Sequence, residues 1–138
     1  MIISASPEIT ILHGASIAKS LRLGDVLALT GDLGTGKTHF VKGLASGLAS
    51  SHPVTSPTFS LIHEYYDGRL PLYHFDFYRL ETAHETLQIG LDDYLFGDGV
   101  CVIEWAEKFP ELLPPSTRWF DFSHRPDDTR QITERLTP

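Results

Sequence analysis

Residues 31–38 have the clearest chemical meaning in this chain, since they read Gly-Asp-Leu-Gly-Thr-Gly-Lys-Thr. This is a complete Gly-x-x-x-x-Gly-Lys-[Ser/Thr] phosphate-binding loop, in which glycines let successive backbone N–H groups turn inward around phosphate oxygens. Lys37 would reach the outer phosphates of a nucleoside triphosphate, and the Thr38 hydroxyl would bind a magnesium ion. The loop residues expected to surround the phosphates are Asp32, Leu33, Gly34, Thr35 and Gly36.

A carboxylate follows a second, wholly apolar segment. Residues 100–103 read Val-Cys-Val-Ile, and Glu104 comes directly after them. A buried strand that ends in an acid beside the phosphate loop commonly supplies a carboxylate to the magnesium ion. The usual acid is Asp, so the longer Glu104 would bind the metal directly or through a water, or would orient the attacking water. We therefore predict Thr38 and Glu104 as metal ligands.

Two other segments are rich in reactive groups. Residues 55–59 read Thr-Ser-Pro-Thr-Phe, and Thr58 lies about twenty residues after Thr38, where a segment that senses the terminal phosphate is common. Residues 74–80 read His-Phe-Asp-Phe-Tyr-Arg-Leu. From the residues alone, Asp76 is either a catalytic acid or part of a half-buried hairpin. The seven histidines contain no metal-binding spacing and are interpreted as surface or hydrogen-bonding residues.

The elements around the loop match what phosphate binding requires. Residues 25–30 form an apolar, β-branched run that predicts a buried parallel strand. A helix should follow the loop, because its apolar residues recur on one stripe and Gly47 ends the pattern. This stripe consists of Phe40, Val41, Leu44, Ala45 and Leu48.

The remaining pattern predicts a mixed, mainly parallel sheet with helices on both faces. A first helix should begin at Pro7, capped by Ser6, and run to about Leu21 with Leu12, Ala15 and Ala18 inward. An Asp-Gly pair predicts a hairpin turn at 67–69. Strands are predicted at 2–5, 58–66, 70–78, 100–105, 117–122 and 131–136, and a further helix at 81–88. The fold class is therefore α/β, with residues 1–138 as a single P-loop NTPase domain.

Composition narrows the class of partner and the compartment. The chain has 138 residues with 11 Lys and Arg against 18 Asp and Glu, a net charge of −7. Direct, tight nucleic-acid binding is disfavoured because the basic residues form no stripe. No apolar run approaches the ~20 residues of a membrane span, so we expect a cytoplasmic protein without a membrane partner. The lone Cys101 lies in an apolar run and predicts a small buried side chain.

Taken together, these motifs resemble the TsaE (YjeE-type) tRNA threonylcarbamoyladenosine biosynthesis ATPase family. The matching segments are the loop at 31–38, residues 56–61, residues 74–80 and the Ile-Glu-Trp of 103–105, in the family's order and spacing. The phosphate loop is shared by many families, whereas the His-Phe-Asp-x-Tyr-Arg-Leu and Glu-Trp segments together are specific. Thr35 and His39 depart from the usual residues without touching Lys37 or Thr38.

The resemblance implies an ATP- and Mg²⁺-dependent ATPase that supports formation of threonylcarbamoyladenosine (t6A) in tRNA. Its partners would be the TsaD and TsaB proteins (the TsaBD complex), with tRNA reached only indirectly. By the same resemblance Lys37, Asp76 and Glu104 would be catalytic. Thr10 in the first helix and Arg130 near the C-terminus would lie beside the nucleotide, which Thr58 would also contact.

Two other functions use the same loop. A small-molecule or nucleoside kinase normally needs an arginine-bearing lid, but the last four arginines of the chain are spread out rather than clustered. A non-hydrolysing, nucleotide-dependent assembly switch would not need Asp76 and Glu104. A GTPase is disfavoured because no lysine has an aspartate two positions later, so the guanine-reading pattern is missing.

Overall fold

The computed structural model describes residues 1–135, which form one seven-stranded sheet flanked by helices. The strands are β1 (Ile2–Ser4), β2 (Val26–Thr30), β3 (Ile62–Tyr65), β4 (Leu72–Asp76), β5 (Val100–Glu104), β6 (Arg118–His124) and β7 (Arg130–Arg135). The helices are α1 (Pro7–Ala18), α2 (Lys37–Gly47), α3 (His84–Gln88) and α4 (Leu91–Leu95), and two 3₁₀ turns follow β5 at Ala106–Lys108 and Pro110–Leu112.

The sheet order is β1-β7-β6-β2-β5-β4-β3. Its four central strands, β6, β2, β5 and β4, are parallel to one another, whereas β3 pairs antiparallel with β4, and β7 pairs antiparallel with both β6 and β1. All residues of β2, β4 and β5 are buried, as expected for strands covered on both faces. The predicted mixed α/β fold is confirmed, and the carboxyl ends of β2, β4 and β5 meet at one edge.

Helices cover both faces of the sheet. Helices α1 and α2 pack on the face that contains Leu27, Leu29 and Val102, and α4 and the 3₁₀ turns pack on the opposite face. Helices α1 and α2 lie unusually close, since a Cβ added at Gly43 would be 2.0 Å from the carbonyl oxygen of Ile11. This contact fixes α1 against the helix that follows the phosphate loop.

Several predicted boundaries differ from the structure. Helix α1 ends at Ala18, and Leu12 is 69% exposed rather than inward, because the close approach of α2 places the small Gly14 on the buried side. Ala15 is only half-buried. Residues 58–60 form a turn, and the predicted 81–88 helix begins at His84, with α4 unforeseen. Residue 136 of the last predicted strand lies outside the described residues. In the described chain no helix has the length and apolarity to cross a membrane.

Candidate functional site

The phosphate loop connects β2 to α2 through three glycines in the left-handed region. Gly31, Gly34 and Gly36 have φ values of 133°, 76° and 100°, which residues with a Cβ rarely adopt. The Thr35 hydroxyl donates to the Asp32 carbonyl at 2.8 Å and braces the turn. Gly36 caps α2, so the positive end of the helix dipole faces the loop. This backbone is a cradle for an anion.

Lys37 lies at the mouth of this cradle. Its Nζ donates to the Gly31 carbonyl and stands 3.7 Å from the centroid of the Trp105 ring. Trp105 itself has a φ of 59°, so β5 ends at Glu104 rather than continuing to 105 as predicted. Burial lowers the pKa of Lys37 below its ordinary value, and the negative charge of Glu104 is the largest influence that opposes this shift. The ammonium group is therefore held between the loop and the end of β5.

Glu104 and Thr38 meet at the end of the loop. The Thr38 hydroxyl donates to Oε2 of Glu104 at 3.2 Å and lies 3.4 Å from Oε1. On its other side, Nε2 of His74 is 2.6 Å from Oε2. Glu104 is only 4% exposed, so its carboxylate depends on these polar partners. The two predicted metal ligands are thus in direct contact.

Asp76 stands beside Glu104 because β4 and β5 are parallel neighbours that place the two residues in register. Its Oδ2 accepts a 2.9 Å hydrogen bond from the Thr58 hydroxyl, and its Oδ1 accepts one of 2.8 Å from the Tyr78 N–H. The Ser56 hydroxyl lies 2.7 Å from that of Thr58. Asp76 is 3% exposed rather than half-buried. The segment at 55–59, which the sequence predicts to sense the terminal phosphate, therefore contacts Asp76 through Thr58.

These groups suit a magnesium ion chemically. Magnesium prefers oxygen ligands, and Thr38 and Glu104 supply a hydroxyl and a carboxylate. Glu104 and Asp76 place two buried carboxylates beside one buried ammonium group, that of Lys37. A cation would offset the remaining negative charge, because unpaired buried charges are costly. The residues present therefore fit the metal that the sequence predicts.

Two of the cavities beside the loop meet at Gly34, Gly36 and His39. The larger, about 270 Å³, is lined by the catalytic candidates together with Leu33, Thr38 and Thr58. The smaller, about 160 Å³, is lined by Thr10 and Arg130.

Thr10 and Arg130, which are two of the residues that line the smaller cavity, both lie against the loop. A Cβ at Gly36 would lie 3.6 Å from Cγ2 of Thr10, and Nε of Arg130 donates to the Gly34 carbonyl at 3.1 Å. Helix α1 and strand β7 thus bring residues from opposite ends of the chain to the same loop. Every predicted site residue lies in the loop or at this edge of the sheet. The Asp32 side chain is exposed, and this residue contributes its backbone carbonyl, which accepts from the Thr35 hydroxyl.

Sequence reasoning missed His74, which is fully buried against Glu104. From its residue type and spacing alone, it is only one of seven histidines that we interpret as surface or hydrogen-bonding residues. The period of two along a strand could have indicated it, since His74 and Asp76 share a face of β4. What the sequence does not show is that β4 lies next to β5.

The fold and this edge define a phosphate-loop α/β protein: a central parallel strand leads through a glycine-rich turn into a helix, and a neighbouring strand ends in a carboxylate at the loop. The sequence model described as "Threonylcarbamoyl adenosine biosynthesis protein TsaE" matches residues 4–132. The chain belongs to the TsaE family.

Individual relatives agree with this assignment. The "tRNA threonylcarbamoyladenosine biosynthesis protein TsaE" of Bacillus subtilis is 48% identical over 94% of this chain and 81% of its own length. The protein of the same name from Treponema pallidum is 43% identical over 95% of this chain and 96% of its own. The crystal structure of Bacillus subtilis YdiB is similar with a TM-score of 0.84 and 42% identity, covering 96% of this chain and 82% of that one.

Proposed function

We propose that this chain is a magnesium-dependent ATPase that supports t6A formation in tRNA and hydrolyses ATP in complex with the TsaD and TsaB proteins. The observation that carries the proposal is the contact of Thr38 with Glu104 at 3.2 Å, at the end of a glycine-lined loop and beside a second buried acid, Asp76. Membership of the TsaE family supports a role in t6A formation, because the relatives of this chain are named after threonylcarbamoyladenosine biosynthesis.

Binding relies on the loop backbone and on Lys37. The N–H groups at the start of α2 and the helix dipole favour the phosphates. The Lys37 ammonium now donates to the Gly31 carbonyl, and phosphate oxygens would be stronger, charged acceptors for the same group. The smaller cavity, with Thr10 and Arg130, would receive the rest of the nucleotide.

Thr38 and Glu104 would hold the magnesium ion. When bound, magnesium neutralises charge on the phosphate oxygens as the terminal phosphoryl group departs. We assign Asp76 to orient and deprotonate the attacking water, since Glu104 already accepts from Thr38 and His74. Asp76 is held by Thr58 and Tyr78 but retains lone pairs for a further donor.

The segment that carries Thr58 would link hydrolysis to the partner proteins. Phe59, next to Thr58, is 84% exposed, and the guanidinium carbon of Arg79 lies 5.1 Å from the centroid of its ring. A partner that contacts this segment would stabilise the existing Thr58 bond to Asp76 and so hold the site in order. The net charge of −7 also favours contact with tRNA through the complex rather than directly.

ATP turnover with and without purified TsaB and TsaD tests the proposal. Phosphate release should be slow for the isolated chain and rise when both partners are added. Fast turnover that the partners do not change would contradict partner-dependent hydrolysis. Transfer of the phosphoryl group to a small acceptor would instead indicate a kinase, and tight binding without turnover would indicate a switch.

Two variants test the assigned residues. Lys37→Ala should abolish binding or turnover, whereas Lys42→Ala, an exposed lysine on the same helix, should leave both unchanged. Glu104→Ala should reduce turnover more than nucleotide binding, because a magnesium ion held there would neutralise charge that develops during transfer of the phosphoryl group to water. Normal turnover in Lys37→Ala or Glu104→Ala would show that the site is assigned wrongly.

A further inference from the structure

His74 is a buried polar residue with no assigned role of its own in the proposed hydrolysis. Its side chain is fully buried in the middle of β4, on the same face as Asp76. Its Nε2 lies 2.6 Å from Oε2 of Glu104, while its Nδ1 has no hydrogen-bond partner among residues 1–135. A carboxylate only accepts, so Nε2 is the donor. The imidazole therefore has one polar contact, and that contact is with the metal-site acid.

The hydrogen bond from His74 makes the surroundings of the two carboxylate oxygens of Glu104 different. Oε2 accepts from His74 at 2.6 Å and from Thr38 at 3.2 Å, whereas within residues 1–135 Oε1 has only the 3.4 Å contact with Thr38. The shorter bond, from His74, holds the carboxylate on the side of the neighbouring strand β4. The carboxylate is thereby turned so that Oε1 is the oxygen with the most remaining capacity to bind another group.

An apolar side chain could fill the same space without this effect. His74 follows Leu72 on the face of β4 that packs in the α1–α2 core, so a leucine at 74 would match its surroundings. Oε2 of Glu104 would then keep only its longer bond to Thr38, and a buried carboxylate with too few donors is unfavourable. The carboxylate would be free to rotate away from the mouth of the loop.

We propose that His74 is a positioning residue, which holds Glu104 through Nε2 in the orientation that binds the magnesium ion. This rests on the proposed function, in which Glu104 is a metal ligand. Partners that orient a metal ligand typically affect metal affinity or activity about 10–100-fold when removed. We therefore expect the effect of His74 to appear in the Mg²⁺ dependence rather than in nucleotide binding without metal.

Two amide variants separate a role of Nε2 from a role of the imidazole volume. In His74→Gln the side-chain amide nitrogen reaches close to the position of Nε2, and in His74→Asn it reaches only as far as Nδ1. Because Nδ1 has no partner among the described residues and Nε2 contacts Glu104, Gln should replace histidine and Asn should not. His74→Leu removes both nitrogens.

Two measurements follow on the full chain. The Mg²⁺ concentration for half-maximal ATP turnover is determined with TsaB and TsaD, and binding of fluorescent mant-ADP is measured in Mg²⁺ and in EDTA. His74→Asn and His74→Leu should raise the required Mg²⁺ about tenfold or more, with mant-ADP affinity in EDTA unchanged. His74→Gln should stay within about threefold of the wild type. In a Glu104→Ala background His74→Asn should add nothing, because both changes then remove the same interaction.

Thermal unfolding of each variant identifies loss of the fold. The proposal is overturned if the folded Asn and Leu variants keep the wild-type Mg²⁺ dependence, if Gln is as impaired as Asn, or if the Asn effect persists in Glu104→Ala. It is also overturned if all three variants unfold, since His74 would then be purely structural. If the wild type shows no ATP turnover but still binds mant-ADP in a Mg²⁺-dependent way, only the proposed function is contradicted. The Mg²⁺ dependence of mant-ADP binding in the variants would then still decide the role of His74. Absence of Mg²⁺-dependent binding would overturn both.

Discussion

The close contact between α1 and α2 predicts that Gly43→Ala destabilises the fold, although helix propensity alone would make the same variant more stable. In Gly43→Ala, the new Cβ would lie 2.0 Å from the Ile11 carbonyl oxygen, 2.9 Å from the Ala15 nitrogen and 2.9 Å from the Gly14 Cα. All three neighbours are backbone atoms, so no change of rotamer relieves the clash. Ordinary contact begins near 3.4 Å, and the helices must therefore separate locally by about 1.4 Å at the closest point.

Helix propensity alone would make this variant more stable, because alanine exceeds glycine by up to about 1 kcal/mol in a helix. Overpacking of a close contact costs about 1–3 kcal/mol, and more where backbone must move. We expect the clash to dominate, with a net loss of about 2 kcal/mol and a fall of roughly 5–10 °C in Tm for a chain of this size.

Thermal unfolding followed by circular dichroism measures the effect, with Ser46→Ala as the control. Ser46 is exposed on the same helix, so alanine there brings only the propensity gain and should leave Tm unchanged or slightly higher. A Gly43→Ala protein with a Tm equal to or above that of the wild type would refute the packing argument. Nucleotide affinity should fall as well, since α1 carries Thr10 against Gly36.

Three further predictions concern single groups. Thr58→Val removes a 2.9 Å hydrogen bond to Asp76. Because hydrogen bonds to charged groups contribute about 1.5–3 kcal/mol, ATP turnover in the partner complex should fall about tenfold or more, while nucleotide affinity changes less. An unchanged turnover rate would contradict this. Burial raises the pKa of the Cys101 thiol to about 12, so iodoacetamide at pH 8 should label the protein only in denaturant; rapid labelling of the folded chain would refute it. Burial opposes ionisation of Asp121, but hydrogen bonds led by that from Arg135 outweigh it and lower its pKa. The ionised carboxylate therefore stabilises the fold at neutral pH, and the deficit of Asp121→Asn in chemical denaturation should shrink as the pH falls below about 4; a deficit independent of pH would contradict this.

Much of the fold was predictable because its strongest signals are local. The strand at 26–30, the loop and the helix with Phe40 and Leu44 on its buried stripe all have the predicted places. Boundaries were less accurate where tertiary contacts override periodicity. The spacing of Leu12 predicts an inward side chain, but α2 packs so closely on α1 that only small side chains fit between them. Trp105 leaves the strand because its left-handed backbone turns the chain over Lys37.

The sequence by itself determined the phosphate loop, because its function depends on consecutive residues whose backbone freedom and side chains can be recognised at fixed spacing. It also indicated the residues to which we assign the chemistry, including Lys37, Thr38 and Glu104. Only the tertiary structure decided which strand lies beside β5. That choice places Asp76 in register with Glu104 and His74 within 2.6 Å of it, although 30 residues separate the bonded pair in the chain. Strand order results from the burial of whole faces against α1, α2 and α4 rather than from any local pattern, so the partners of Glu104 became visible only in the folded sheet.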